Sequence, residues 1–344
     1  MKKRYWIPAL VVALLVVTYF LGPPPPEPVF DPTPVAVPAA PAALEAYVAE
    51  KEAKWPLRDD NQARIRWHDD RRQRTEYAFV YLHGFAGSYR DGYPFNVAVA
   101  DTFAANLYLA RYAGHGLRPP HSMVTFTPEA AWEDAKEALA IGKRLGEKVV
   151  VLSTSTGGTL ATLLAVHFPD DVHALVSIGP NYQDDIPGTW MLNSNWGYEL
   201  SHLVSLGNYR EISYDQPGAD QYWDTMYVAE ALLELQVMVG NAMVEETFRR
   251  VRTPVLTMYY HKDDFNEDER VEVSVYPDAH AAFASPPDQT ALVALPTPGT
   301  HFCGSDIMSD DVDTTVTTAV DYLRKLEAGP RLRASSGTPA SGGR

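Results

Sequence analysis

The chain has 344 residues, of which 46% are hydrophobic, and this is enough apolar material for one large domain or two small ones. A formal net charge of −15 argues against nucleic acid as a partner and provides no general basic surface for anionic lipid. Because Cys303 is the only cysteine, an intrachain disulfide is excluded.

The first 22 residues have the pattern of a membrane anchor or signal segment. Lys2, Lys3 and Arg4 precede an uncharged apolar run over 5–21, whose length lies between a signal-peptide core and a full membrane span. Residues 19–21 are bulky and offer no small-residue cleavage site, so an uncleaved anchor is favoured over a cleaved signal. The basic flank predicts that the rest of the chain lies outside the cytoplasm, periplasmic or extracellular, and secreted if the segment is cleaved.

Composition divides the remainder into three parts. Residues 23–41 contain nine prolines and predict a polyproline II linker that holds the next part away from the membrane. Residues 42–327 have the composition of a globular domain. Residues 328–344 are rich in Gly, Ser, Pro and Arg and predict a disordered tail.

Strand and helix patterns alternate along the globular part, which predicts an α/β fold with a mostly parallel sheet covered on both faces. The predicted strands are 77–82, 107–110, 149–152, 173–178, 254–260 and 290–295, and the predicted helices are 128–145, 157–167 and 310–326. An insertion rich in aromatic residues, about 181–250 and hereafter the insertion, interrupts this alternation and includes a helix-like stretch over 226–250.

The strand at 149–152 runs into Ser153-Thr154-Ser155-Thr156-Gly157-Gly158 and then into a helix. Small residues around a serine are what a sharp strand-to-helix turn requires, and the turn would present Ser155 at its apex. The N-terminal N–H groups of the following helix would point toward the same place, which suits an oxygen that becomes negative during a reaction. Taken alone, such a pattern fits an ordinary loop about as well.

Three further motifs accompany this turn in chain order. They are HGFAG at 83–87 after one strand, GHG at 114–116 after the next, and a late acid followed by a late histidine. Together, over about 75–327, the four motifs resemble the serine-hydrolase branch of the α/β-hydrolase superfamily that includes monoacylglycerol lipases and serine aminopeptidases. The resemblance implies an α/β-hydrolase fold with a helical lid at the insertion, over the carboxyl ends of the strands.

The resemblance also implies a catalytic triad in the order Ser, Asp, His. Ser155 would be the nucleophile and His301, in PGTHF at 298–302, the base. The acid would follow the strand at 254–260, with Asp264 as the expected residue, Asp263 as the close competitor and Asp268 as a more distant one.

Two main-chain N–H groups, those of Phe85 and Thr156, would form the oxyanion hole. His83 and His115 are interpreted as stabilising their glycine turns rather than as bases. The sequence departs from the family pattern at Ser153 and at His261, where glycine is usual, and the second departure leaves the register of the acid open.

The resemblance implies hydrolysis of a carboxylic ester, with acyl glycerols or similar lipids as the substrate class. No cofactor is expected, because the sequence shows no zinc helix motif, no Walker loop and no dinucleotide pattern. A proline-releasing type aminopeptidase stays open, because the insertion carries the acids Glu199, Asp215, Asp220 and Glu230. A non-catalytic binding domain is the other alternative, and oligomeric state stays open.

Overall fold

The computed structural model of the chain describes residues 6–184 and 194–328. The strands are β1 (Arg64–Arg66), β2 (Thr75–Leu82), β3 (Asn106–Leu109), β4 (Gly146–Thr154), β5 (Val172–Ile178), β6 (Tyr209–Glu211), β7 (Met226–Val228), β8 (Val255–Asp263), β9 (Asn266–Glu267) and β10 (Thr290–Leu295). The helices are α1 (Trp6–Phe20), α2 (Pro41–Glu52), α3 (Phe95–Thr102), α4 (Pro128–Leu145), α5 (Thr156–His167), α6 (Gly197–Ser205), α7 (Ala219–Tyr222), α8 (Glu230–Ala242), α9 (Glu245–Phe248), α10 (Tyr276–Ala282) and α11 (Val312–Ala328).

The main sheet confirms the predicted mostly parallel α/β architecture. Its order is β1-β3-β2-β4-β5-β8-β10, and every neighbouring pair from β3 to β10 is parallel. The edge strand β1 runs antiparallel to β3, and β9 pairs antiparallel with the end of β8. Because the strands are parallel, their carboxyl ends meet at one edge of the sheet, where loops from several strands can form a site.

Helices cover both faces of this sheet, as the unbroken apolar runs of the central strands require. On one face Ala78, Val80 and Leu82 of β2 belong to a core that includes residues of α2, α4, α5, α8, α9 and α10. On the other face Tyr77, Phe79 and Tyr81 belong to a second core with residues of α3 and α11. Successive side chains of β2 therefore alternate between the two cores, as strand geometry dictates.

The insertion is more divided than its sequence suggests. The helix-like stretch over 226–250 is split into β7, α8 and α9. Its first residues, Met226–Val228, pair antiparallel with β6 instead of beginning the helix. Residues 185–193, which include Trp190 of the predicted lid, lie outside the described residues.

Part of the segment predicted as a polyproline II linker contacts α4. Trp132 Nε1 donates to the carbonyl of Asp31 at 2.8 Å, and Lys136 Nζ donates to that of Thr33 at 2.9 Å. Val37 is buried and belongs to the core beneath α4. Residues 29–37, hereafter the strap, therefore pack along α4, because apolar side chains between the prolines give this segment something to bury.

The described part of the predicted anchor is α1, a helix of 15 residues with no buried side chain. No helix among the described residues is both long and apolar enough to cross a membrane. The basic flank at 1–5 and the predicted tail from 329 onward lie outside the described residues.

Candidate active site

Ser155 occupies the single residue between β4 and α5, at φ 55° and ψ −120°. A positive φ in a residue with a side chain costs about 1–3 kcal/mol, so it persists only where surrounding contacts impose it. Here the Ser155 N–H donates to Ile178 O at 3.0 Å, and its carbonyl accepts from Gly158 N at 2.7 Å and from Asn181 N at 2.9 Å. The turn leaves Ser155 partly exposed between Thr154 and Thr156, which are both buried.

The small residues of this turn are needed because the chain passes very close to its neighbours. A Cβ at Gly157 would lie 2.0 Å from Leu82 O, and one at Gly158 would lie 2.4 Å from Pro180 Cβ. Ser153, where the family pattern has glycine, is accommodated because its hydroxyl donates to Ser177 Oγ of the neighbouring strand at 2.8 Å. The departure from the pattern therefore leaves the turn intact.

His301 follows β10 and pairs with Asp268. Nδ1 of His301 lies 2.5 Å from Oδ2 of Asp268, and the two side chains are 2% and 0% exposed. Since a carboxylate only accepts, the neutral histidine carries its proton on Nδ1, and Nε2 has its lone pair available. Within the described residues, Nε2 of His301 has no hydrogen-bond partner.

The structure does not bring Asp264, the expected acid, or its competitor Asp263 to His301. The strand β8 continues past Tyr260 and turns back as a hairpin with β9, and Asp264 is exposed at its tip. Asp268, the candidate ranked last, comes after the hairpin, where its N–H donates to Tyr260 O at 3.1 Å. The hairpin therefore delays the acid by a few residues and returns the chain to the end of the sheet.

Gly179, after β5, brings this pair close to Ser155. A Cβ at Gly179 would lie 2.9 Å from both Cε1 and Nδ1 of His301, and 3.1 Å from Oδ2 of Asp268. The preceding residue, Ile178, accepts the hydrogen bond from Ser155 N. The ends of β4, β5, β8 and β10 thus bring Ser155, Asp268 and His301 together around Ile178 and Gly179.

The HGFAG loop lies on the other side of the serine. A Cβ at Gly84 would lie 3.1 Å from Ser155 Cβ, so the loop passes directly over the turn. The N–H of Phe85 in this loop and the N–H of Thr156 at the start of α5 have no acceptor in the described part of the chain. Both predicted oxyanion donors are therefore available near Ser155.

His83 and His115 are fully buried beneath this loop and hold turns, as their interpretation proposed. Nδ1 of His83 donates to Gly84 O at 2.8 Å, and its Nε2 accepts from Tyr112 N at 3.4 Å. Burial lowers the pKa of His83 to about 4 and holds that of His115 well below its ordinary value. Both rings are therefore neutral near pH 7.

Comparison with known families and structures identifies the family and the fold of the chain. The model of the alpha/beta hydrolase family matches residues 79–315, more than half of the chain. The chain belongs to the alpha/beta hydrolase family. None of the curated proteins compared matches it in sequence.

Solved structures show the same α/β-hydrolase fold at low sequence identity. One from work on LipS and LipT, two metagenome-derived lipolytic enzymes, has a TM-score of 0.63 at 16% identity and covers 78% of this chain and 99% of its own. Saccharomyces cerevisiae monoglyceride lipase has a TM-score of 0.55 at 10% identity, covering 77% and 90%. Paleococcus ferrophilus monoacylglycerol lipase has a TM-score of 0.52 at 14% identity, covering 72% and 93%.

In this α/β-hydrolase the insertion contacts both loops of the site. Asp224 N donates to Ala86 O in the HGFAG loop at 2.7 Å, and the rings of Tyr227 and Phe85 pack edge to face at 5.5 Å. Trp223 packs against Phe302, next to His301, at 5.2 Å. The insertion is thereby fixed to the loops that carry His301 and Phe85.

The insertion also carries a cluster of aliphatic side chains on α8, which could either line an acyl-chain pocket or pack against the domain. Leu235, Met238 and Val239 are buried in the core of the hydrolase domain. At these three positions the structure favours the simpler interpretation, in which the insertion buries its own apolar side chains against the domain.

Sequence reasoning missed three buried carboxylates around the hydrolase site. Asp91 accepts from Gly84 N at 2.6 Å and from the hydroxyl of Tyr81. Asp224 forms an ion pair with Arg58 at 2.9 Å, and Asp184 accepts from Asn181 Nδ2 at 2.7 Å. The local sequence around each of them resembles that of a solvated loop. Only their contacts in the folded chain distinguish these three buried carboxylates from exposed ones.

We expect Asp91 to make the stability of this hydrolase depend on pH. Burial raises the pKa of Asp91 from 3.8 to about 7, so the folded chain keeps a proton that the unfolded chain releases between about pH 4 and 7. Stability should therefore fall as the pH rises through this range. Asp91→Asn stays neutral and keeps an acceptor for Gly84 N–H, so urea unfolding at pH 5, 6 and 7 should show a slope reduced by up to about 1.4 kcal/mol per pH unit.

The matched control is Asp215→Asn, which makes the same chemical change at an exposed residue of the insertion and leaves Asp91 in place. Part of the slope should survive in Asp91→Asn, since burial also raises the pKa of Asp224 to about 7. An Asp91→Asn slope equal to that of the parent chain would contradict the assignment.

Proposed function

We propose that this chain is a serine hydrolase that cleaves carboxylic esters, with acyl glycerols or similar lipid esters as substrates, through an acyl-enzyme intermediate. The observation that carries the proposal is the buried pair of His301 and Asp268, whose Nδ1 and Oδ2 are 2.5 Å apart and which lies against Gly179, next to the residue that Ser155 N bonds. A serine hydroxyl is a weak nucleophile until a base with an oriented partner removes its proton. These three residues supply that combination.

In the proposed mechanism, Ser155 Oγ attacks the ester carbonyl while Nε2 of His301 takes the hydroxyl proton. Asp268 holds the ring by its Nδ1 proton and stabilises the imidazolium that forms. The N–H groups of Phe85 and Thr156 stabilise the negative oxygen of the tetrahedral intermediate, and each such donor is worth about 10²–10³ in rate. His301 then returns the proton to the leaving alcohol, and water cleaves the acyl-enzyme by the same route.

A lipid ester is the proposed substrate class for two reasons. The short helix α6 of the insertion exposes Leu200, Leu203 and Val204, and Leu206 follows them, so the insertion offers apolar surface to a poorly soluble substrate. The similar structures include two named monoglyceride or monoacylglycerol lipases. Neither reason identifies an acyl chain.

Labelling with a fluorophosphonate tests the nucleophile directly, because this reagent reacts with an activated serine. We expect one adduct, located by mass spectrometry on Ser155 in the full chain, and its loss in both Ser155→Ala and His301→Ala. Ser153→Ala is the matched control, since Ser153 is two residues away but bonded to Ser177, and it should retain the label. Folded protein with no adduct would favour the non-catalytic alternative.

A substrate panel separates the enzyme classes. Monoacylglycerols and short acyl esters should be cleaved faster than aminoacyl amides, and this activity should disappear in Ser155→Ala. Faster cleavage of aminoacyl amides than of any ester would contradict the proposed esterase activity and favour the aminopeptidase alternative.

A further inference from the structure

A cavity lies under the strap, far from Ser155 in the fold. It has a volume of about 660 Å³, within the range of about 300–1,000 Å³ that small-molecule sites occupy. Its walls come from the strap, α2, α4 and the segment that precedes β2.

The cavity opens at the opposite edge of the sheet from the candidate active site. Arg72 and Arg74 lie just before β2, Arg144 lies just before β4, and Asp171 lies just before β5. These strands are parallel, so their amino ends share one edge. Ser155 and His301 follow the carboxyl ends of strands in the same sheet, so ligands of the two sites would not compete for space.

The lining combines an apolar wall with a concentration of positive charge. Apolar side chains on the wall include Val35, Val37, Leu44, Trp67, Leu139 and Phe168. The charged side chains are five cations, Arg72, Arg74, Lys136, Lys143 and Arg144, and one carboxylate, Asp171. The chain as a whole has a net charge of −15, so this local excess of positive charge is opposite in sign to the overall charge.

Part of this positive charge is uncompensated by the fold. Lys143 pairs with Asp171 at 2.6 Å, Arg72 with Glu45 at 2.6 Å and Lys136 with Glu133 at 2.7 Å. Arg74 donates to Gly146 O at 2.6 Å, which leaves its charge without a carboxylate. Arg144 is exposed and takes part in no ion pair of the described residues.

We propose that this cavity binds a single-chain amphiphile with an anionic head group. The apolar tail lies in the cavity, against the strap, α2 and α4, and the carboxylate or phosphate head lies at Arg144 and Arg74. Apolar walls supply most of the binding free energy of such a ligand, and the cations select its charge. The proposal is independent of the reaction at Ser155.

Calorimetric titration of the full chain tests the proposal with three probes of equal tail length. We expect laurate and dodecyl phosphate to bind with a stoichiometry of one, and dodecanol to bind at least about tenfold more weakly. Whichever anionic probe binds more tightly identifies the head group. Prior labelling of Ser155 with fluorophosphonate should leave this binding unchanged, which distinguishes the cavity from the active site.

Variants assign the binding to the cavity. Arg144→Glu should weaken both anionic probes by at least about tenfold, and Ala140→Phe should abolish binding by filling the wall under the strap. Arg324→Glu is the matched control, because Arg324 is exposed on α11, which packs on the other face of the sheet. The absence of binding to folded protein, or unchanged binding in Ala140→Phe, would overturn the proposal.

Discussion

Replacing Asp268 with Asn should lower kcat/KM for an ester substrate by about 10³–10⁴-fold, whereas Asp264→Asn should change it by no more than about twofold. The carboxylate of Asp268 accepts the Nδ1 proton of His301 in a site from which water is excluded. An asparagine there turns a donor or a weaker acceptor toward the ring and removes the charge that stabilises the imidazolium. Asp264 is exposed at the tip of the hairpin.

Asp263→Asn extends the comparison, since Asp263 bonds only within the hairpin, to Asn266 Nδ2 at 2.8 Å and to Phe265 N at 3.0 Å. Thermal unfolding of each variant checks that loss of rate is not loss of fold. If Asp264→Asn were as damaging as Asp268→Asn in folded protein, the assignment of the acid would have to be abandoned.

The second large effect is on stability, and it concerns the buried ion pair between Arg111 and Glu52. Arg111 Nε and Nη2 donate to the two carboxylate oxygens of Glu52 at 2.6 and 2.8 Å, and both side chains are nearly inaccessible. Arg111→Met leaves Glu52 as an unpaired buried charge, which should lower the free energy of unfolding by about 3–5 kcal/mol. Urea denaturation at pH 7 measures this change.

Two further variants make the measurement specific. In the double variant Arg111→Met with Glu52→Gln the charge is removed, while an acceptor for Ala63 N–H, now 2.7 Å from Glu52, is retained. We expect it to recover a substantial part of the loss. Arg66→Met, which breaks an exposed pair with Asp101, should cost less than about 1 kcal/mol. Equal loss in the single and double variants would show that packing rather than charge is responsible.

The fold was largely predictable because its strands carry strong local signals. The bounds of α4 and β10 agree with the sequence-based ranges. The start of α4 has a clear signal, because Thr127 caps the helix through its hydroxyl and Pro128 begins it. The helices α3 and α10 were missed. They have eight and seven residues, which is too short for a helical apolar pattern to repeat clearly in the sequence.

The parts of the candidate site that depend on one local turn could be predicted from the sequence. The part that depends on the length and register of a strand could not. Ser155 directly follows β4 and His301 lies in the loop after β10, each with small residues nearby, so the local sequence pattern singles out both residues. The acid depended on how far β8 continues beyond Tyr260, and its hairpin partner is only two residues long. Among the many acids between 263 and 269, no local signal marks the one that returns to the sheet.

Contacts of the N-terminal region determine where α1 lies relative to the rest of the domain. Besides the strap on α4, Trp196 Nε1 donates to Thr18 O at 2.9 Å, and Asn241 Nδ2 donates to Pro26 O at 3.3 Å. These contacts hold α1 and the segment that follows it against the insertion. Anything attached to α1 is thereby placed on one side of the domain, next to the insertion.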